Sequence, residues 1–133
     1  MVHLLTALIL VSTGTLILNV TGIEDTRGFI RIALFDEESY FPEDIDNALL
    51  RVTEPVTSDS ITVEIQGIDR GAYAIALFHD KDGDGVLDRN FLGIPTEKIG
   101  FSSDARAVTG PPDYEDALFL FEEDTLLIHV ELH

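Results

Sequence analysis

The sequence predicts an all-β protein: an antiparallel β-sandwich of about seven strands, Ig-like or prealbumin-like, with one long metal-type loop. Three observations favour this fold. Apolar and polar residues alternate over short segments, turn-forming residues separate those segments, and no long stretch has helical periodicity. The 133 residues suit one domain. We therefore expect a single β-sandwich domain over residues 14–133.

Six segments carry the strand pattern clearly, and a seventh is weaker. In the third segment Ile61, Val63 and Ile65 share one face, while the residues between them are polar. The weak segment, 51–56, contains Pro55, which lacks an N–H and is expected only at a sheet edge or a strand end. The clear segments are residues 15–20, 29–35, 61–66, 72–78, 117–121 and 126–132.

A short internal similarity predicts two hairpins. Gly22-Ile23 and Gly67-Ile68 each begin a turn that ends in Arg-Gly, and each turn leads into a strand that ends in Ile-Ala-Leu-Phe. Glycine supplies turn geometry, and the alternating strands supply a buried face. We therefore predict that the strands on either side of each turn pair with one another in antiparallel fashion.

Two irregular regions interrupt the strands. Within residues 36–50, Pro42 followed by acidic residues predicts a short helix. Residues 79–116 form a connection so long that it is expected to be functional or to contain small elements of its own. The aromatic residues expected to pack this long loop onto the sandwich are Phe91, Phe101 and Tyr114.

The chain is strongly acidic, with 25 Asp and Glu against 8 Lys and Arg and a formal net charge of -17. It lacks the basic patch that neutralises phosphates, so neither nucleic acid nor an anionic membrane surface is an expected partner. Cations are favoured instead. The absence of cysteine excludes disulfides and thiolate chemistry.

The N-terminus predicts export. Residues 4–11 are apolar and are followed by small residues, as in the core of a secretory signal, so residues 1–13 are expected to be a truncated signal or leader segment. The alternative is a strand that begins early. The run is shorter than the roughly 20 residues that a membrane-spanning helix needs, and we expect no transmembrane segment.

One motif carries chemistry. Residues 80–88 fit D-x-D-x-D-G-x-x-D, in which carboxylates at alternate positions can converge on one ion if the backbone coils around it. Calcium takes six to eight oxygen ligands, and Gly85 allows the sharp turn that such a loop needs. The predicted calcium ligands are the side chains of Asp80, Asp82, Asp84 and Asp88 and the backbone carbonyl of Val86.

The motif is incomplete, because its twelfth position, usually a bidentate Glu, is Phe91. An acid from elsewhere would have to close the site. Magnesium is less expected because it retains several waters, and zinc because cysteine is absent and the histidines are scattered. An empty acidic turn is the alternative, since Asp and Gly favour turns without an ion. The candidate closing acids are Asp104, Asp113, Glu115 and Asp116.

Other motifs accompany the acidic loop: F-H-D at 78–80, N-F-L-G-I-P-T-E at 90–97, G-F-S at 100–102 and G-P-P-D-Y-E-D-A at 110–117. With these motifs the chain resembles the bacterial domain of unknown function 2141 family over about residues 15–132. The resemblance implies a small exported β-sandwich that is usually made with a signal peptide. It implies no reaction.

Two functions follow from these patterns. We expect a non-enzymatic module, periplasmic or at the cell envelope, whose 79–116 region is ordered by calcium and which has a protein or envelope partner. The alternative is a small enzyme with a site in the same region around His79, Asp80 and Asp113. The enzyme requires a cleft that contains His79 and a carboxylate with a shifted pKa. Otherwise His79 is expected to be a packed, hydrogen-bonded residue that anchors the loop.

Overall fold

The computed structural model describes residues 13–133, so the predicted leader lies outside the described residues except for its last position. Eight strands form two packed sheets, which confirms the predicted all-β sandwich. The strands are β1 (Thr13–Thr21), β2 (Phe29–Phe35), β3 (Leu50–Pro55), β4 (Ile61–Asp69), β5 (Gly71–Asp80), β6 (Ile99–Phe101), β7 (Phe119–Phe121) and β8 (Thr125–Glu131).

One sheet has three strands in the order β4-β1-β8, and the other has the order β3-β2-β5-β6 with β7 paired to the first residues of β5. β3, the weakly predicted strand, is the edge strand that Pro55 requires. β1 and β8 pair in parallel, in contrast to the antiparallel arrangement that the sequence predicts throughout. This pairing is possible because nearly the whole chain separates the two strands and provides the crossover that parallel strands need.

The two predicted hairpins are wrong. β1 pairs with β4 and β2 with β5, so each Gly-Ile turn carries the chain from one sheet to the other. The turn after β4 is a single residue, Arg70. Strands on either side of a hairpin turn and strands on either side of such a corner show the same alternation of inward apolar and outward polar residues, so the sequence pattern does not distinguish them. Strands that pass from one sheet to another commonly do so at bends. The internal similarity therefore marks two equivalent corners, each of which contributes one strand to each sheet.

The core lies between the sheets and follows the predicted alternation. Leu16, Leu18 and Val20 of β1 are almost completely buried. They share one core with inward-facing residues of the neighbouring strand β4 and of β2 and β5 in the other sheet, and burial of an aliphatic side chain contributes roughly 1.5–3 kcal/mol. These core residues are Ile61, Val63 and Ile65 of β4, Ile30, Ile32 and Leu34 of β2, and Tyr73, Ile75 and Leu77 of β5.

The outer face of the five-stranded sheet is partly covered by its own loops. Phe101 and Tyr114 pack there as predicted, together with Phe41, whose ring centroid lies 5.7 Å from that of Tyr114. The prediction for Phe91 is wrong, because this side chain is 95% exposed.

Helical structure is confined to single turns. The helix predicted within 36–50 is a 3₁₀ turn, Ile45–Asn47, and two further turns are Ser102–Asp104 and Tyr114–Ala117. The last of these occupies the start of the strand predicted at 117–121, which leaves β7 only three residues. No helix in residues 13–133 has the length and apolar character needed to cross a membrane.

Gly28 at the first corner offers a test of the fold. It has a φ of 74°, and a Cβ atom there would overlap the backbone of Asp80 and Lys81. Gly67 has a φ of 75° but open space around it. We predict that Gly67→Ala lowers the free energy of unfolding by about 1–2 kcal/mol, the left-handed backbone penalty. Gly28→Ala should cost about 1–3 kcal/mol more because the backbone must move.

Urea denaturation of the two variants measures the difference. Equal losses would contradict the close packing of this corner against the end of β5.

Candidate metal site

The acidic loop begins at the last residue of β5, on the outer face of the five-stranded sheet. Asp80 pairs with Phe29 of β2, so its side chain shares a face with Arg31, two residues farther along β2. One carboxylate oxygen of Asp80, Oδ2, accepts hydrogen bonds from Arg31 Nε at 2.7 Å and from the Gly85 N–H at 2.8 Å. These contacts fix the start of the loop to the sheet.

The other carboxylate oxygen of Asp80 has no hydrogen-bond partner, although the residue is completely buried. Buried polar atoms almost always have a partner, because leaving water without one costs several kcal/mol or shifts the protonation state. A cation bound at Oδ1 would satisfy this atom. Asp80 is therefore the most informative residue of the loop.

The acidic side chains of the motif fall into two groups that share Asp82. Oxygen atoms of Asp80, Asp82 and Asp84 lie within 4.8 Å of one another, and so do those of Asp82, Asp88 and Glu97. Three of the four predicted acidic ligands therefore form one group, whereas Asp88 belongs to the group that contains Glu97.

Glu97 is the acid that the sequence analysis missed. It is 7% exposed, and its carboxylate accepts hydrogen bonds from the backbone N–H of Lys81 at 2.8 Å and of Asp88 at 2.9 Å. Glu97 thereby holds both ends of the acidic loop. None of the four acids predicted to close the site joins either carboxylate group in residues 13–133; these were Asp104, Asp113, Glu115 and Asp116.

A narrow ribbon brings Glu97 back to the loop. The backbones of Arg89 and Pro95 form a bridge, and the Thr96 N–H donates to the Asp88 carbonyl at 2.9 Å. At the tip of the ribbon the Asn90 side-chain oxygen accepts hydrogen bonds from the backbone N–H groups of Leu92 and Ile94. These bonds form a turn centred on Asn90. The Asn90 to Gly93 spacing was the available signal, since such a turn reverses the chain and exposes Phe91 at its tip.

The backbone of the loop coils as the motif requires. Gly83 and Gly85 have φ values of 70° and 81°, in the left-handed region that glycine adopts without penalty. The Val86 N–H donates to Asp84 Oδ1 at 3.0 Å, which closes one turn of the coil. The Val86 carbonyl as a ligand stays a prediction.

The carboxylates perturb one another. Burial would raise the pKa of Asp80, but the hydrogen bonds from Arg31 and Gly85 outweigh it and the pKa is lowered. Partial desolvation, followed by the closeness of the Asp80 carboxyl, raises the pKa of Asp82 to about 6. The two shifts have different causes: donors hold the Asp80 carboxylate in its charged form, whereas desolvation and the neighbouring carboxyl groups favour a proton on Asp82.

The residues of the alternative enzyme do not form a cleft together. His79 is 1% exposed on the inner face of β5, and its Nε2 lies 2.6 Å from the Arg27 carbonyl oxygen. Its backbone N–H donates to the Lys98 carbonyl. His79 is therefore a packed residue that ties the first corner and the end of the long loop to β5.

A bacterial family model, described as an uncharacterized protein conserved in bacteria (DUF2141), matches residues 18–129. The chain belongs to the DUF2141 family. The matched region of this DUF2141 protein contains the whole acidic loop, Glu97, the complete strands β2 to β7, part of β1 and most of β8. Comparison with curated proteins and with solved structures gives no match.

The raised pKa of Asp82 predicts an unusual pH dependence for the calcium-free protein. An acid whose pKa is higher in the folded state binds its proton more tightly there, so the stability it contributes is present at low pH and is lost as pH rises toward 6. Asp82→Asn should abolish this loss, and in chelator at pH 7 the variant should melt no lower than the unmodified protein.

Thermal melts in chelator between pH 4.5 and 7.5 measure both effects. A variant whose midpoint falls well below that of the unmodified protein at pH 7 would contradict carboxylate repulsion in the empty loop.

Proposed function

We propose that this DUF2141 protein is a non-enzymatic, exported β-sandwich module that binds calcium in the loop at residues 80–88. The observation that carries the proposal is the buried Asp80 carboxylate, one oxygen of which has no hydrogen-bond partner. An acidic cluster alone is common on protein surfaces. A cation bound at a buried carboxylate oxygen that has no donor would offset the desolvation of that oxygen.

The donor set favours calcium over other metals. The carboxylates of the two groups that share Asp82, with the predicted Val86 carbonyl, would supply the six to eight oxygens of calcium if the loop closed around one ion. Magnesium would leave several of them unused, because it retains waters in a strict octahedron. No histidine joins either carboxylate group in the described part of the chain, which disfavours zinc.

Glu97 would take the place of the missing acid at the twelfth position. Each of its oxygens accepts one backbone hydrogen bond, and a carboxylate oxygen has a second lone pair for an ion. The ion would then connect the end of β5 to the residues that lead into β6. Its role in this proposal is structural, since it would order the segment from Asp80 to Glu97.

The proposed function also includes export of the protein and a role without catalysis. The apolar run at residues 4–11 favours export, and calcium sites of extracellular modules are weak, with dissociation constants of about 10⁻⁴–10⁻³ M. A site with Asp82 and Asp84 exposed suits that range. The burial of His79 supports a module over an enzyme, because a general base must reach a substrate.

Calcium should stabilise the fold by linkage. At a free concentration about 100 times the dissociation constant, binding adds about 2.7 kcal/mol to the free energy of unfolding. For a chain of this size the Tm should rise by roughly 10 °C. Asp82→Asn and Asp84→Asn should each lose most of this rise.

Asp104→Asn is the matched control, because Asp104 belongs to the same long loop but to neither carboxylate group. It should retain the full rise. Thermal melts with calcium and with chelator, together with titration calorimetry, give the result. An unchanged Tm and no heat of binding would overturn the proposal, as would equal losses in all three variants.

A further inference from the structure

A cleft of about 900 Å³ opens on the outer face of the five-stranded sheet, beside the acidic loop. Its floor is made by Ala33 of β2 and Ala76 of β5, which are direct partners across the two strands. Two alanines side by side leave depth that larger residues would fill. The volume lies within the range of roughly 300–1,000 Å³ that is common for small-molecule sites.

The walls of the cleft are apolar and come from two loops and β6. The ribbon after the acidic loop forms one wall, with Leu92 and Ile94 68% and 55% exposed, and Val108 on another loop is 88% exposed. Apolar side chains this accessible gain free energy when a ligand covers them. The principal apolar wall residues are Leu87, Leu92, Ile94, Pro95, Ile99 and Val108.

Basic side chains line the cleft although the chain is strongly acidic. Three of the six arginines, Arg31, Arg51 and Arg89, lie around it, in a protein with a net charge of -17. Among the described residues, two acids line the cleft, Glu43 and Glu97, and the Glu97 carboxylate is buried and hydrogen-bonded to backbone N–H groups. The cleft therefore presents three guanidinium groups, each of which is paired with a protein carboxylate.

The guanidinium groups of Arg51 and Arg89 form only exposed ion pairs, whereas that of Arg31 is held by several hydrogen bonds. Arg31 donates to Asp80, to Thr53 and to the Gly83 carbonyl. Arg51 Nη1 lies 3.2 Å from Asp46, and both side chains are more than half exposed.

Arg89 Nη2 lies 3.6 Å from Glu43, which is also exposed, while its Nη1 donates to the Gly93 carbonyl. Exposed ion pairs are worth about 0–1 kcal/mol, so a ligand anion can replace Asp46 and Glu43.

We propose that this cleft binds a small amphipathic carboxylate, with its apolar body over Ala33 and Ala76 and its carboxylate at Arg51 and Arg89. The guanidinium group matches a carboxylate through two parallel hydrogen bonds, and the apolar walls cover the rest of the ligand. A small polar anion would leave the walls exposed, a neutral lipid would not use the arginines, and a cation would be repelled. The proposal rests on the side chains of the cleft and not on the ion itself, but calcium in the proposed site would order one wall of the cleft, so ligand binding is measured both with calcium and with chelator.

Ligands that differ in head group test the polar part of the proposal, and a ligand without the alkyl chain tests the apolar part. Decanoate, 1-decanol and decyltrimethylammonium share one alkyl chain length, and acetate lacks that chain. Each is titrated with calcium and again with chelator into protein with labelled alanine methyl groups, and spectra report the Ala33 and Ala76 methyl resonances. Decanoate should shift both resonances, saturate, and bind at least tenfold more tightly than the other three. No saturation by decanoate in either condition, equal affinity for decanol, or binding that leaves both methyl resonances unmoved would overturn the proposal.

Charge variants then locate the head group. Arg51→Gln and Arg89→Gln should each weaken decanoate binding by about tenfold, the loss expected when one charged hydrogen-bonding partner is removed. Arg27→Gln is the control: it changes the net charge equally, but Arg27 pairs locally with Asp25 and does not line the cleft. An equal loss in the control would show a general charge effect and overturn the assignment of the two arginines.

Discussion

The buried carboxylate of Asp80 is the interaction on which the functional half of the molecule depends. It lies at the last residue of β5, where the regular sheet ends and the long loop begins. Arg31 from β2 and the Gly85 N–H bind one of its oxygens and so fix where the loop leaves the sheet. The loop leaves the sheet at that point, and the second oxygen of Asp80, which has no hydrogen-bond partner, is where the proposed cation would bind.

The proposed ion site and the cleft share one piece of chain. Glu97 contributes to a carboxylate group and also lines the cleft, and Leu87 of the acidic loop forms part of the cleft wall. An ion that orders residues 80–97 would therefore also order one wall of the cleft. Arg31 also links the proposed ion site to the cleft, because it contacts Asp80 and lines the cleft. The cleft also explains the small side chains at Ala33 and Ala76, because they leave the surface of the sheet open to a ligand.

The strands and the acidic motif could be predicted from the sequence because both are local patterns. Alternation at residues 61–66 places Ile61, Val63 and Ile65 inward whichever strand lies beside them. The sheet to which each strand belongs could not be predicted, because the corners at Gly22 and Gly67 have the same glycine-rich pattern as hairpin turns. The parallel pairing of β1 with β8 joins the two ends of the domain, and alternation within either strand carries no trace of it.

The acidic site also combines residues that could be predicted with one that could not. The four aspartates lie close in sequence, so their spacing was enough to identify them as candidate ligands. Glu97 could not be identified in this way, because it reaches the loop through a ribbon that folds back at the bridge between Arg89 and Pro95. The burial of Asp80 and the salt bridge to Arg31 depend on the register of β2 against β5, which no local pattern specifies. Phe91 shows the same limit of local patterns. Its aromatic character predicted packing, but the turn at Asn90 places its side chain at an exposed tip.

An anomalous difference map from crystals grown with calcium is the most direct test of whether Asp80 Oδ1 is a metal ligand. We expect a peak about 2.3–2.6 Å from this oxygen, surrounded by oxygens of Asp82, Asp84 and Asp88. A peak elsewhere, or a water molecule hydrogen-bonded to Asp80 Oδ1 at saturating calcium, would show that this oxygen does not bind the ion.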